Sequence, residues 1–266
     1  MPQVDWNKRV WEAEEKWLDG GDRWSGAWGG PALQWHGTLM PRIHPFLPTG
    51  TILELGPGFG RWTQFLKDQC QSLIAVDLCQ RCIDACRERF SDDAQVECHT
   101  NDGRSLDMVP DGSVDFVFSF DSLVHVEADV IDAYLEQIQR KMKPDAVGFI
   151  HHSNLDHYRG YFRVVRGVPL VRTLLRPMGF ATRTHDRGAS VSAASFARSA
   201  EKTGLTCIAQ EWINWASPLM IDCLSTFTHR GSIWGTGTRV VKNSQFMNEA
   251  RCIRQRAGLL PERRAA

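Results

Sequence analysis

The sequence has no surplus of either charge: 31 Lys and Arg balance 31 Asp and Glu, and the pI is close to neutral. Nothing global therefore points to a nucleic-acid or acidic membrane partner. It also lacks an apolar run approaching the ~18 residues that span a bilayer. The charged first residues, MPQVDWNKRVWEAEEKW, lack the apolar stretch of a signal peptide, so the cytoplasm is the expected compartment. Eight cysteines are present, but Cys79, Cys82 and Cys86 have no second Cys/His pair at matching spacing, and structural zinc wants four ligands. Buried thiols are the better reading. A dinucleotide-binding G-x-G-x-x-G turn is missing as well, because Arg61 stands where its last glycine would be.

What is present is ordinary globular composition, 42% hydrophobic and 23% charged, over 266 residues, enough for one large domain. Residues 1–48 carry six of the ten tryptophans (Trp6, Trp11, Trp17, Trp24, Trp28, Trp35) and a glycine-rich stretch after a loose amphipathic helix. They read as an N-terminal helical arm, either packed on the main domain or capping a ligand. From Thr51 the rhythm becomes strand, glycine turn, helix. Strands are expected at 51–55, 72–77, 95–100, 114–123, 146–152, 206–215 and 219–230, with helices at 61–69, 79–90, 127–143 and 192–205. Alternation of this length predicts an α/β Rossmann-like domain over 49–237, with a seven-stranded, mostly parallel sheet and an antiparallel last strand. The pattern breaks over 155–188, an arginine-rich helical insertion expected to act as a lid (Arg159, Arg163, Arg166, Arg172, Arg176, Arg183, Arg187). The tail, 238–266, carries seven Arg and Lys against two Glu from 239 on and reads as a solvated basic helix.

The strongest motif is Glu54-Leu55-Gly56-Pro57-Gly58-Phe59-Gly60, whose glycines permit a sharp turn after a strand and close approach of a ligand to the backbone. An acid, two residues of strand end and this glycine spacing resemble the first motif of the class I S-adenosylmethionine-dependent methyltransferases. Asp77, ending the second strand, and Asp102, after the third, fall in register with that family. The resemblance covers roughly 48–230. It implies that Glu54 faces the cofactor's amino group, that Gly56 and Gly58 line its methionine part, and that Asp77 binds the ribose diol. It also implies that Asp102 accepts from the adenine amino group, with Gly103 and Phe120 completing the cofactor wall.

In that family the ends of strands four and five face the methyl donor, and here they read Phe120-Asp121-Ser122-Leu123-Val124-His125 and His151-His152-Ser153-Asn154. An aliphatic hydroxyl needs a base poised near neutral pH, and histidine is the natural one, so these ends favour O-methylation. Strict alternation puts only one of His151 and His152 into the pocket. His152 is placed ahead of His125 as general base, with Asp121 as orienter or ligand of a magnesium ion. His151, Asn154, Tyr158 and Trp215 are the expected substrate contacts; Trp212 and Tyr161 are further aromatic candidates. No N-P-P-Y-like signature is present, which argues against nucleic-acid and protein-amide targets. FDSLVHVE and FIHHSN resemble the bacterial sugar O-methyltransferase branch, which implies a small-molecule or oligosaccharide acceptor. No nucleic acid or membrane is expected as partner, and a homo-oligomer is left open. O- or N-methylation of an aromatic natural product and a non-catalytic cofactor-binding protein are the alternatives.

Overall fold

The computed structural model describes residues 4–13, 17, 19–167, 186–215, 218–235 and 237–259. The chain opens with helix α1 (Val4–Trp11) and a run of short helical turns over 31–46. The sheet-forming region follows: β1 (Thr49–Leu55), β2 (Cys70–Asp77), α2 (Gln80–Arg89), β3 (Val96–Thr100), β4 (Val114–Ser119), α3 (Ala128–Lys141) and β5 (Met142–Ser153). After α4 (Arg159–Gly167) come α5 (Ala193–Lys202), β6 (Leu205–Ile213), β7 (Asp222–His229), β8 (Arg239–Asn243) and α6 (Phe246–Ala257). The strand order is β3-β2-β1-β4-β5-β7-β6-β8, and β7 alone runs against the others.

Apolar residues on both faces of each central strand explain why this sheet is covered on both sides. Leu53, Leu55, Val117 and Ile150 face one core with Phe196 and Phe227. Ile52, Phe116, Phe118 and Phe149 face the other, with Trp28, Trp35 and Trp62. Helix α5 begins at a reciprocal cap: Ser192 Oγ accepts from the Ser195 amide at 3.1 Å, and Ser195 Oγ accepts from the Ser192 amide at 2.8 Å. The order reverses between β1 and β4, so the crevice beyond their carboxyl ends is where such a sheet offers a ligand site.

The sheet has eight strands, one more than the sequence pattern suggests. Arg239–Asn243 pairs parallel to β6, and the tail does not form a purely solvated helix. Phe246 and Ala250 of α6 are buried in the core, while Arg42 binds Glu211 and Glu249 beside them. The connection between β6 and β7 includes Ala216 and Ser217, which lie outside the described residues, as do 168–185 of the insertion with Arg172, Arg176 and Arg183. No helix among the described residues is long and apolar enough to cross a membrane.

Candidate active site

At the end of β1 the chain turns through Gly56 and Gly58, with φ of 73° and 59°. A side chain at Gly56 would collide with Ser122, and one at Gly58 would come within 2.6 Å of the Trp17 ring. Glycine is required at both for conformation and for space. The Gly58 amide donates to Asp77 Oδ2 at 3.1 Å and the Cys79 amide to Oδ1 at 2.9 Å. Burial pushes the Asp77 carboxyl up to about 6, against the pull of these amides.

Glu54 lies elsewhere than expected. It is fully buried behind the turn, where its Oε2 accepts from Thr63 Oγ1 at 2.7 Å, and it is absent from the cavity wall. Burial pushes its carboxyl up to about 8, so the residue carries a proton at neutral pH. Asp102 follows β3 as expected; it is exposed, and its Oδ1 caps its own loop by accepting from the amides of Arg104 and Ser105 at 2.8 and 2.6 Å.

The cleft has two compartments. The larger, about 360 Å³, is walled by Gly56, Gly58, Asp77, Phe120, Asp121 and His125, with Arg61, Arg187, Trp24 and Trp215 on its far side. The smaller, about 60 Å³, shares Trp11, Gly56, Asp77, Ser122 and His125 with it and runs on to Gly103, Val130 and Tyr134. Trp11, Trp17 and Trp24 of the arm line the larger compartment, while Trp28 and Trp35 are core residues, so the arm both packs on the sheet and lines the cleft.

A buried network of charges forms one wall. Asp121, at a left-handed φ of 63°, sits 3.0 Å from Arg61 and 3.9 Å from Arg187. Arg187 grips Asp222 through both carboxylate oxygens, at 3.1 and 3.0 Å. Burial works to raise the carboxyls of Asp121 and Asp222, and Arg187, with Arg61 at Asp121, outweighs it and holds both low. The Asp121 amide donates to His151 Nδ1 at 3.2 Å, which leaves the ring proton on Nε2, 3.4 Å from Asp222 Oδ2. His151 is thus a fully buried support beneath Phe120 and Trp215, not a substrate contact.

The five remaining candidates separate clearly. His152 points to the opposite face, stacked on Phe196 at 4.3 Å, with Nδ1 on the Ser153 carbonyl and Nε2 on Ser225 Oγ, both at 2.8 Å. Its exposure is 0%, so it cannot serve as the base. Asn154 is a core residue that ties the Met220 carbonyl to the Ala193 amide. Tyr158 accepts from the Met220 amide away from the cleft, and Trp212 lies beside His157 and Lys242. His125 does reach both compartments. Its Nδ1 lies 3.1 Å from the Asp186 carbonyl, which can only accept, so the proton is on Nδ1 and Nε2 keeps its lone pair. Burial, then Arg187, pull its pKa down to about 4, so the ring is neutral.

A divalent ion does not fit Asp121, since both carboxylate oxygens face arginines, and no group of three His, Cys, Asp or Glu among the described residues is placed to hold a metal. The sequence does not single out Arg61, Asp222 and Asn7 as site residues, and it places Arg187 only among the arginines of the insertion; Arg61 leaves a signal as the residue that breaks the dinucleotide motif.

Residues 52–145 match the methyltransferase domain family. A ribosomal RNA small subunit methyltransferase A of Geobacter metallireducens is 38% identical over 61 residues, 23% of this chain and 22% of that protein. This chain therefore spans about a fifth of that curated relative. Among solved structures, the PH0226 protein of Pyrococcus horikoshii OT3 superposes with a TM-score of 0.57 at 17% identity, covering 84% of this chain and 99% of that one. The DhpI complex with S-adenosylhomocysteine gives 0.55 at 18% identity, covering 86% and 97%. With the strand order, the reversed β7 and the glycine turn facing Asp77, these likenesses show the Rossmann-like α/β fold of methyltransferases.

Proposed function

We propose that this protein is an S-adenosylmethionine-dependent O-methyltransferase acting on a hydroxyl of a sugar or saccharide, with no nucleic-acid or membrane partner. The observation that carries the reading is His125, a neutral imidazole with one ring nitrogen unprotonated, on the wall of a cleft that mixes charged groups with aromatic faces. Gly56 and Gly58 bring backbone to the cofactor, and Asp77 presents two carboxylate oxygens, a match for a vicinal diol. When bound, S-adenosylmethionine supplies a methyl group on a sulfonium, open to in-line attack. Asp121, Arg61 and Arg187 offer hydrogen-bonding partners to a polyol, and Trp24 and Trp215 offer faces for the C–H side of a sugar ring. His125 Nε2 takes the hydroxyl proton while the Asp186 carbonyl holds Nδ1–H and so fixes the tautomer. A depressed pKa suits removal of that proton late, when the forming O–C bond has made it strongly acidic. Asp186 and Arg187, at the end of the 155–188 insertion, support the reading of that insertion as a lid on the acceptor.

The test is methyl-labelled cofactor offered with saccharides, phenols and ribosomal RNA. Label in saccharide is the expected result. Label in phenol favours an aromatic natural product, label in RNA overturns the small-molecule reading, and bound cofactor with no transfer makes the protein a non-catalytic binder.

A further inference from the structure

The smaller compartment is lined by a residue whose buried acceptor has nothing to accept among the described residues. Asn7, on α1 and outside the segment matched to the methyltransferase domain family, is 4% exposed and lines this compartment. Its Nδ2 donates to the His125 carbonyl at 3.0 Å, which fixes the amide's orientation. Its Oδ1 is buried with no hydrogen-bond partner among the described residues. A buried polar atom left unpaired costs about 1–3 kcal/mol, so one at a ligand cavity marks where a donor belongs.

The compartment's shape says what kind of donor. Val4, Leu78, Leu123, Val130 and Tyr134 give it apolar and aromatic walls suited to a flat ring. Gly103 packs so closely that a Cβ there would stand 3.0 Å from Val4 and 3.2 Å from Leu78. Asp77 sits at the junction with the larger compartment, so a ligand whose diol lies on Asp77 sends its base into the apolar slot and its other arm past the glycine turn. Asp77 holds two amides and keeps lone pairs for the diol, the Tyr134 hydroxyl accepts from Asn101 at 3.0 Å, and Asp102 is exposed with its Oδ1 bonded within its own loop.

We infer that Asn7 Oδ1 accepts from the exocyclic amino group of the cofactor's adenine, so that the N-terminal arm takes part in reading the base. The assignment rests on the cofactor reading above. Because Asn7 also grips the His125 carbonyl, adenine recognition and the placing of the base share one side chain.

Calorimetry on the full chain with two ligands tests this: S-adenosylhomocysteine and its counterpart carrying hypoxanthine, whose 6-oxo group replaces the 6-amino group. The wild type should prefer the adenine form by roughly ten- to a hundredfold, as expected when an acceptor is made to face an acceptor. Asn7→Leu should bring the two affinities to within about threefold of each other. Asn7→Asp loses the donor to His125 but keeps the acceptor, so it should retain the preference and separates base reading from docking of α1. Asn7→Leu with an undiminished preference, or a wild type that binds both forms equally, overturns the inference while leaving the cofactor reading standing. A wild type that binds neither overturns both.

Discussion

Trp17 lies flat against Phe59, with ring centroids 4.5 Å apart and planes within 1° of parallel, and in that position its ring crosses Gly58. The arm's residue thus roofs the glycine turn. Trp17 Nε1 donates to the Trp11 carbonyl at 2.6 Å and its ring meets Trp24 edge-on at 5.0 Å, so the roof is braced from two sides. Trp17→Ala removes the stack and the brace together, and such pairs contribute about 0.5–1.5 kcal/mol beyond the area they bury. Dissociation of S-adenosylhomocysteine should speed up by roughly three- to tenfold in stopped-flow fluorescence. An unchanged rate would leave the arm a packing element only.

The turn beneath makes a sharper demand. Gly58 needs a positive φ and has the Trp17 ring where a side chain would go, so Gly58→Val should abolish cofactor binding while leaving the far side of the sheet folded. Asp77→Ala removes the two carboxylate oxygens and should weaken binding by about 2 kcal/mol, the size of lost charge-assisted hydrogen bonds. Calorimetry showing unaltered affinity in both variants counts against the cofactor site.

Those residues were legible in the sequence because a glycine spacing after a strand and an acid at the next strand's end are local features. The histidine pair was half legible. Alternation correctly assigns one of His151 and His152 to each face, but which face meets the cleft depends on Phe196 on one side and Trp215 on the other, both distant in sequence. Asn7 and Arg187 line the cleft and Asp222 holds Arg187 from behind, three separate segments that no spacing rule connects. β8 is five residues long with Val240 and Val241 over half exposed, so it carries no hydrophobic pattern to read.

Arg187 and Asp222 are both buried, and the pair is held together by mutual charge. Asp222→Asn removes the bidentate carboxylate partner of a buried guanidinium and should destabilise the fold by about 3–5 kcal/mol in denaturant titration. The double variant Arg187→Met/Asp222→Leu should recover much of that loss, since a buried apolar pair avoids the desolvation that the ions incur. If the double variant is as unstable as the single one, the ion pair is not what that region depends on.

Glu54 gives a pH signature of the opposite sign from an ordinary salt-bridged acid. Its folded-state pKa is raised to about 8, so its contribution is fully present below its unfolded pKa and is lost as pH climbs through the folded value. The melting temperature of the wild type should therefore fall relative to Glu54→Gln between about pH 5 and about pH 8, because glutamine never ionises. Parallel melting curves across that window would mean the carboxyl is not held protonated.

The last expectation sets His125 against His152. Both rings are pulled down to about 4, His125 by burial and Arg187 and His152 mainly by burial, so protonation state does not distinguish them. Geometry does. His152 spends both ring nitrogens on Ser153 and Ser225 in the core, whereas His125 spends one on Asp186 and lies on the cleft wall. His125→Ala should lower turnover about 10²–10⁴-fold with cofactor affinity nearly unchanged, the usual cost of losing a general base. His152→Asn should instead lower the melting temperature and leave turnover per folded molecule close to wild type. The free base is the active form, so wild-type turnover at saturating cofactor, which removes the effect of Asp77 protonation near 6, should stay level from neutral pH downward and fall as pH drops through about 4, where His125 takes up a proton. The His125→Ala variant should lack that limb. Turnover lost in His152→Asn and kept in His125→Ala would return the base to the other face of the sheet. Turnover kept in both would mean that the acceptor loses its proton unaided, as a phenol does far more readily than a sugar.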